Sequence, residues 1–147
     1  MRWRFVDKIE SFQPWRSAAG RKAVSLEEYC LYEPLGRKGV LPESLILEGC
    51  VQLVRWLVAK SSQFDSTCVL SEIESFSLLG EVGMGEVVGI AVAIISRGPD
   101  RLRAECRVCR DGETVAQGAL SVDLLPLAEG SDPGASKTIW RELYGSS

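Results

Sequence analysis

The sequence predicts an α+β domain in which a long central helix is wrapped by a curved antiparallel sheet. Three observations predict it. The segment from Pro42 to about Ser61 is apolar around most of a helical circumference. From Cys68 to Leu125 the chain is instead a run of strand-like segments separated by glycine-containing turns. The 147 residues, 46% hydrophobic and 25% charged, make one domain with one core. That balance is too apolar for a disordered chain and too evenly charged for a membrane protein.

The elements follow in order. Phe5, Val6 and Ile9 mark a short strand from Trp3 to Ser11; a turn at Gln13-Pro14 leads to a second strand near Arg21 to Ser25. Leu26 to Leu31 reads as a short helix with Glu27 and Glu28 in its first turn, broken at Glu33-Pro34, and Gly36-Arg37-Lys38-Gly39 is a loop. Pro42 suits the first position of the central helix, and no proline interrupts Leu45 to Ala59. At about 100° per residue, Ser44, Glu48, Gln52 and Arg55 share one narrow stripe. Leu45, Ile46, Leu47, Cys50, Val51, Leu53, Val54, Trp56, Leu57 and Val58 take the other directions, the mark of a buried helix.

Strands are expected over Cys68 to Phe76, Glu86 to Ser96, Arg101 to Arg110 and Thr114 to Leu125. Arg101 to Arg110 alternates cleanly, with Leu102, Ala104, Cys106 and Val108 on one face. Asp111-Gly112 is a type I′ hairpin signal, and the return strand turns Ala116, Gly118, Leu120, Val122 and Leu124 inward. Gly80, Gly83 and Gly85 form a connecting loop; their order is wrong for a phosphate cradle and a strand follows them. Residues 1–128 therefore hold the domain. Residues 129–147 are a linker and a short amphipathic helix of Ile139, Trp140, Leu143 and Tyr144 that docks on the surface or on a partner.

Composition limits the chemistry. The chain has no histidine, which excludes imidazole bases, Ser-His and Cys-His nucleophiles and histidine metal ligands. A net charge of −3 argues against a general nucleic-acid binder. The basic residues Arg16, Arg21, Lys22, Arg37 and Lys38 sit in the first half, where a modest patch for an acidic partner is conceivable, although scattered solvated side chains explain them as well. Five irregularly spaced cysteines fit reduced thiols, and Cys106-x-x-Cys109 lies on a strand that points the two apart. The charged start, Met1 to Lys8, has no apolar leader, and no run is long enough to span a bilayer, so a cytoplasmic location is expected, with no membrane partner.

Val40-Leu41-Pro42-Glu43-Ser44-Leu45-Ile46-Leu47-Glu48-Gly49-Cys50-Val51-Gln52 resembles the VMPGVLILEAMAQ segment that opens the central helix of beta-hydroxyacyl-ACP dehydratases. Phe5 to Ile9 is similar to the LLVDRV strand of that family, and Tyr32-Glu33-Pro34 to its NEPF. The turn from Gly83 to Glu86 falls where its PGD turn does, and Asp111 to Ala116 is similar to its DGEVVAEA hairpin. The likeness covers residues 5–125 in order. It implies the hotdog fold and a dimer, homodimeric or paired with a second hotdog chain. It also implies an acyl thioester ligand, acyl-ACP or acyl-CoA, of the kind used in fatty-acid or polyketide-type metabolism, and no cofactor or metal.

The resemblance carries Glu48 over as the helix acid/base, with Gln52 supporting it one turn later. A carboxylate on a mostly buried helix serves as acid or base near neutrality. The stripe also reads as nothing more than the exposed, self-paired side of the helix. The departures are sharp. The family's GHFPG histidine is absent, the stretch from Glu33 to Glu48 is about five residues shorter, and Glu43 replaces the glycine after the family's MP. A dehydratase-like protein that binds acyl thioesters without standard dehydratase activity is therefore expected. The alternatives are a Glu48-dependent thioesterase, or a non-catalytic subunit that lends Glu48 to a histidine-bearing partner. The resemblance implies an acyl tunnel between the two subunits beside the central helix, lined by the apolar helix face with Val88, Ile90 and Val92, while small Gly49 and Gly89 leave room near the backbone. The isolated chain should not dehydrate beta-hydroxyacyl thioesters at enzymatic rates, because loss of the base alone costs ~10²–10⁴ in rate. Intact-mass analysis of a beta-hydroxyacyl substrate checks this, and efficient loss of water would contradict it.

Overall fold

The structure is a computed structural model and describes residues 6–24, 41–83 and 85–126. The start of the expected first strand, the short helix at 26–31, the loop at 36–39 and the tail helix at 139–144 lie outside them. Six strands and one helix are described: β1 (Lys8–Gln13), β2 (Ser17–Ala23), α1 (Glu43–Ser61), β3 (Ser66–Leu78), β4 (Val87–Arg97), β5 (Arg101–Arg110) and β6 (Glu113–Pro126). They form a single antiparallel sheet in the order β1-β2-β4-β5-β6-β3, so β1 and β3 are its edges. Among the described residues no helix is long and apolar enough to cross a membrane.

α1 is held on the concave face. Ile46, Cys50, Val51, Leu53, Val54, Leu57 and Val58 are buried, against Val88, Ile90 and Val92 of β4, Leu102, Ala104 and Val108 of β5, and Leu120 and Val122 of β6. Burial is one-sided, however. Among the described residues the sheet curves around α1 but leaves Leu45, Leu47 and Trp56 half-buried. Pro42 stands outside the helix as its N-cap, with φ −60° and ψ 147°; its carbonyl accepts the N–H groups of Leu45 and Ile46 at 3.0 and 3.2 Å. Ser62, Gln63 and Phe64 close the other end, the last two at φ 56° and 66°, which aims the Phe64 ring into the core.

The second strand runs from Ser17 to Ala23, earlier than the expected Arg21 to Ser25. Ala18, Ala19 and Gly20 are poor strand formers, but their unbroken pairing with Val92, Ala91 and Ile90 of β4 decides the matter. Its turn is closed by the Arg16 N–H bonding to the Gln13 carbonyl at 3.0 Å, with Trp15 at φ 55° after Pro14. Lys22, expected in an exposed basic patch, points inward and is buried; its ammonium reaches Asp7 at 3.6 Å. Asp111 and Gly112 have φ 50° and 81°, as the type I′ turn requires. Register shifts at Leu70/Glu72, Ile73/Ser75 and Ile94/Ser96 bend the sheet around the helix.

Two glycines make opposite tests of this packing. A Cβ on Gly118 would collide with the Ser75 carbonyl oxygen and lie 2.8 Å from the Phe76 ring, whereas at Gly89 the nearest atom is 4.0 Å away. Gly118→Ala should cost about 1–3 kcal/mol in urea unfolding, and Gly89→Ala should stay within about 0.5 kcal/mol. Equal midpoints would contradict the register of β3 against β6.

Candidate functional site

The helical spacing that predicts a polar stripe also brings its members into contact. The Gln52 side-chain amide donates to Glu48 Oε1 at 3.5 Å, and Arg55 Nη1 lies 3.9 Å from the same oxygen. The Glu48 and Arg55 side chains are 39% and 43% exposed, so this carboxylate is not in the buried setting the sequence suggests. One surface carboxylate is thus held by an amide and a guanidinium from the next two turns of its own helix.

Arg55 links the stripe to the edge strand β3. Cys68, the third residue of β3, is buried; that burial pushes its thiol up to about 12, and the charge of Arg55 pulls the other way. Arg55 is therefore close to the start of the edge strand. By the same 100° spacing, half-buried Leu45 and Trp56 border the stripe on one side and half-buried Ala59 falls within it. At the start of the helix Pro42 supplies no side-chain cap and its carbonyl takes the N–H groups of Leu45 and Ile46, which leaves those of Glu43 and Ser44 for an acceptor from outside the helix. A carboxylate, two donors that orient it and a helix N-terminus can together bind a polarised carbonyl and deliver or remove a proton beside it.

The structure brings Glu48 and Gln52 together and adds Arg55, which the helical wheel placed on the stripe but sequence reasoning gave no role. The i, i+4, i+7 spacing of Glu48, Gln52 and Arg55 was the signal for it. The expected tunnel residues are not at this site. Val88, Ile90 and Val92 are packed beneath α1, Gly49 is buried, and Gly89 lies on the outer face of the sheet. Alternation turns odd-numbered residues of β4 outward there, which the sequence resemblance alone did not resolve. Cys106 and Cys109 do not act as a pair. The Cys50 thiol donates to Cys106, an interaction that raises Cys50 together with burial and lowers Cys106 against the opposing effect of burial, whereas Cys109 lies 3.8 Å from the Thr114 hydroxyl. Among the described residues, no three cysteine or carboxylate side chains cluster to hold a metal ion. A groove of about 570 Å³ lined by Trp15, Arg97, Asp100 and Leu124 lies toward the other end of α1, where the Trp15 N–H bonds to the Ser61 hydroxyl. It is far along the helix from Glu48, and the chemistry of the stripe makes the stripe the better candidate.

No protein-family model and no curated protein matches the chain. Solved structures do. The smu.793 protein of Streptococcus mutans UA159, solved with acetyl CoA bound, superposes with a TM-score of 0.65 at 16% identity, over 86% of this chain and 94% of that one. The thioesterase HI1161 of Haemophilus influenzae gives 0.64 at 15% identity, over 84% and 81%. The PaaI protein of the E. coli phenylacetic acid degradation operon gives 0.65 at 12% identity, over 80% and 78%. These likenesses establish the hotdog fold for this chain.

The Cys68 thiol gives the site a pH signature. Its proton is held more tightly in the folded chain, at about 12 against an ordinary 9.0. The stability this contributes is complete below pH 9 and is lost as pH rises from there toward 12. Between pH 8 and 11 the wild type should lose about 2–3 kcal/mol more unfolding free energy than Cys68→Val. Urea melts across that range check it, and parallel curves would contradict the buried setting of Cys68.

Proposed function

We propose that this chain binds acyl thioesters and hydrolyses acyl-CoA, with Glu48 activating water, in a site that a second copy completes along β3. The observation that carries the proposal is the Glu48-Gln52-Arg55 stripe on the flank of α1 beside an unpaired sheet edge. Structural neighbours that are a thioesterase and an acetyl CoA complex support acyl-CoA over a carrier-protein thioester.

The Glu48 carboxylate takes a proton from water as the oxygen bonds to the thioester carbonyl carbon. The carbon–sulfur bond then breaks, and the proton passes from Glu48 to the departing sulfur. Gln52 and Arg55 hold the carboxylate in place. Uncapped amides at the start of α1 are suited to the oxyanion that forms on the carbonyl oxygen. Dehydration fits less well, because it needs a base for a carbon-bound proton and none of the 147 residues is a histidine.

A second copy is favoured by the edge itself. β3 is 13 residues long, has no neighbour on one side among the described residues, and exposes Val69, Ile73 and Leu78 at 42%, 46% and 40%. A long apolar edge is a template for strand pairing. A copy paired there would also cover Leu45 and Trp56 and enclose the stripe. The domain boundary near residue 128, the linker and tail helix at 129–147, and a cytoplasmic location belong to the same proposal. A hetero-hotdog partner is the second reading, and activity of the chain alone tells the two apart.

The test is a panel of acyl-CoA and acyl-ACP substrates followed by intact mass, with light scattering on the same sample. Free acid and free CoA from a dimeric wild type are expected. Glu48→Gln should lower the rate ~10²–10⁴-fold with the fold intact. Hydrolysis that survives Glu48→Gln would overturn the role of this residue, and an inactive wild type would overturn the reaction.

A further inference from the structure

We infer that Arg110 and Glu86 form a clasp that positions the first turn of α1. Its catalytic consequence rests on the function proposed above; its structural consequence does not. Arg110 is the last residue of β5, and Glu86 ends the connection between β3 and β4. Arg110 Nε lies 3.2 Å from Glu86 Oε2, and Nη1 donates to Glu86 Oε1 at 3.5 Å and to the Glu81 carbonyl. Glu86 Oε1 also accepts the Gly83 N–H at 2.6 Å, while the Glu86 N–H donates to the Gly83 carbonyl at 3.2 Å. One carboxylate and one guanidinium thus close the turn from Glu81 to Glu86 on itself.

That turn is the support of two distant parts of the chain. Val24 exchanges bonds with it, N–H to the Glu86 carbonyl at 2.9 Å and carbonyl from the Gly85 N–H at 2.8 Å. The Leu41 N–H donates to the Val82 carbonyl at 2.7 Å. Val24, Leu41 and Val82 are all buried, so these are fixed core contacts. Leu41 directly precedes Pro42, whose carbonyl receives the first bonds of α1. The path from the clasp to the helix start is therefore continuous: Arg110, Glu86, the turn, Val82, Leu41, Pro42. Glu48 lies in the second turn of that helix.

The clasp is a positioning device rather than a source of stability. Its side chains are 25% and 35% exposed, and a pair so placed adds little to the folding free energy. Geometry is a different matter, since small misplacement of a reacting group costs large factors in rate. Neither residue touches the Glu48 stripe, so loss of the clasp acts only through the backbone it holds.

The experiment compares Arg110→Ala, Glu86→Ala, the double variant and Arg110→Lys by amide hydrogen exchange and by hydrolysis of acetyl-CoA. Exchange in a peptide covering Leu41 to Ile46 should rise about tenfold or more in each single variant while β5 and β6 stay protected. The double variant should be no worse than either single one, because both remove the same unit. The kcat should fall about tenfold or more with KM nearly unchanged, and Arg110→Lys should recover part of it. Unchanged exchange at Leu41 to Ile46, a rise spread over all strands, or a wild-type kcat in Arg110→Ala would each overturn the inference. If the wild type hydrolyses no thioester, the proposed function fails, and the exchange result alone decides whether the clasp sets the helix.

Discussion

Leu53, Val54, Leu57 and Val58 of α1 have no exposed surface, and the bend of the sheet exists to cover them. Each such side chain contributes about 1.5–3 kcal/mol when removed from water, and together they fix where the helix lies. A single sheet can cover only one side of a helix. With Ile90, Val92, Leu102, Val108, Leu120 and Val122 filling that side, the opposite flank of α1 is less covered by the described residues. The polar residues sit on that flank for the same reason: an unpaired charge inside the core would cost more than the helix gains.

The open flank of α1 and the edge strand β3 are linked through Arg55. β3 is one of the two edge strands and Arg55 acts on Cys68 near its start, so a second copy paired along β3, as proposed, would approach the Glu48 stripe. Covering this stripe is tolerable because it carries opposite charges in contact and an amide to bridge them. The same covering removes water from the carboxylate and strengthens every interaction it makes. In the proposed function, assembly and chemistry would be two consequences of one packing constraint.

Much of this was legible in the sequence where local rules and global packing agree. The clean alternation of Arg101 to Arg110 matches β5 residue for residue, and Asp111-Gly112 matches its turn. The helix was out by a single residue, Pro42, because a proline whose φ is already near −60° serves equally as cap or first residue. β2 was misplaced because Ala18-Ala19-Gly20 carries no strand signal of its own and is a strand only through β4. The charge of Lys22 marks it as a surface residue in the sequence and hides the fact that it alternates with buried Ala18, Gly20 and Val24. In the site, Glu48 and Gln52 were legible as a helical pair, but the exposure of Glu48 was not. The helical wheel shows which residues share a stripe, not what lies over it. The bonds among Arg110, Glu86 and Glu81 join residues far apart in sequence, and no spacing rule reaches across such a distance.

A structure of the chain with a non-hydrolysable acetyl-CoA analogue tests the central claim most directly. The account predicts a dimer joined through β3, with the carbonyl of the ligand against the first turn of α1 and the Glu48 carboxylate facing its carbon. A ligand seated instead in the groove of Trp15 and Arg97, or a β3 that remains an unpaired edge with the ligand bound, would contradict it.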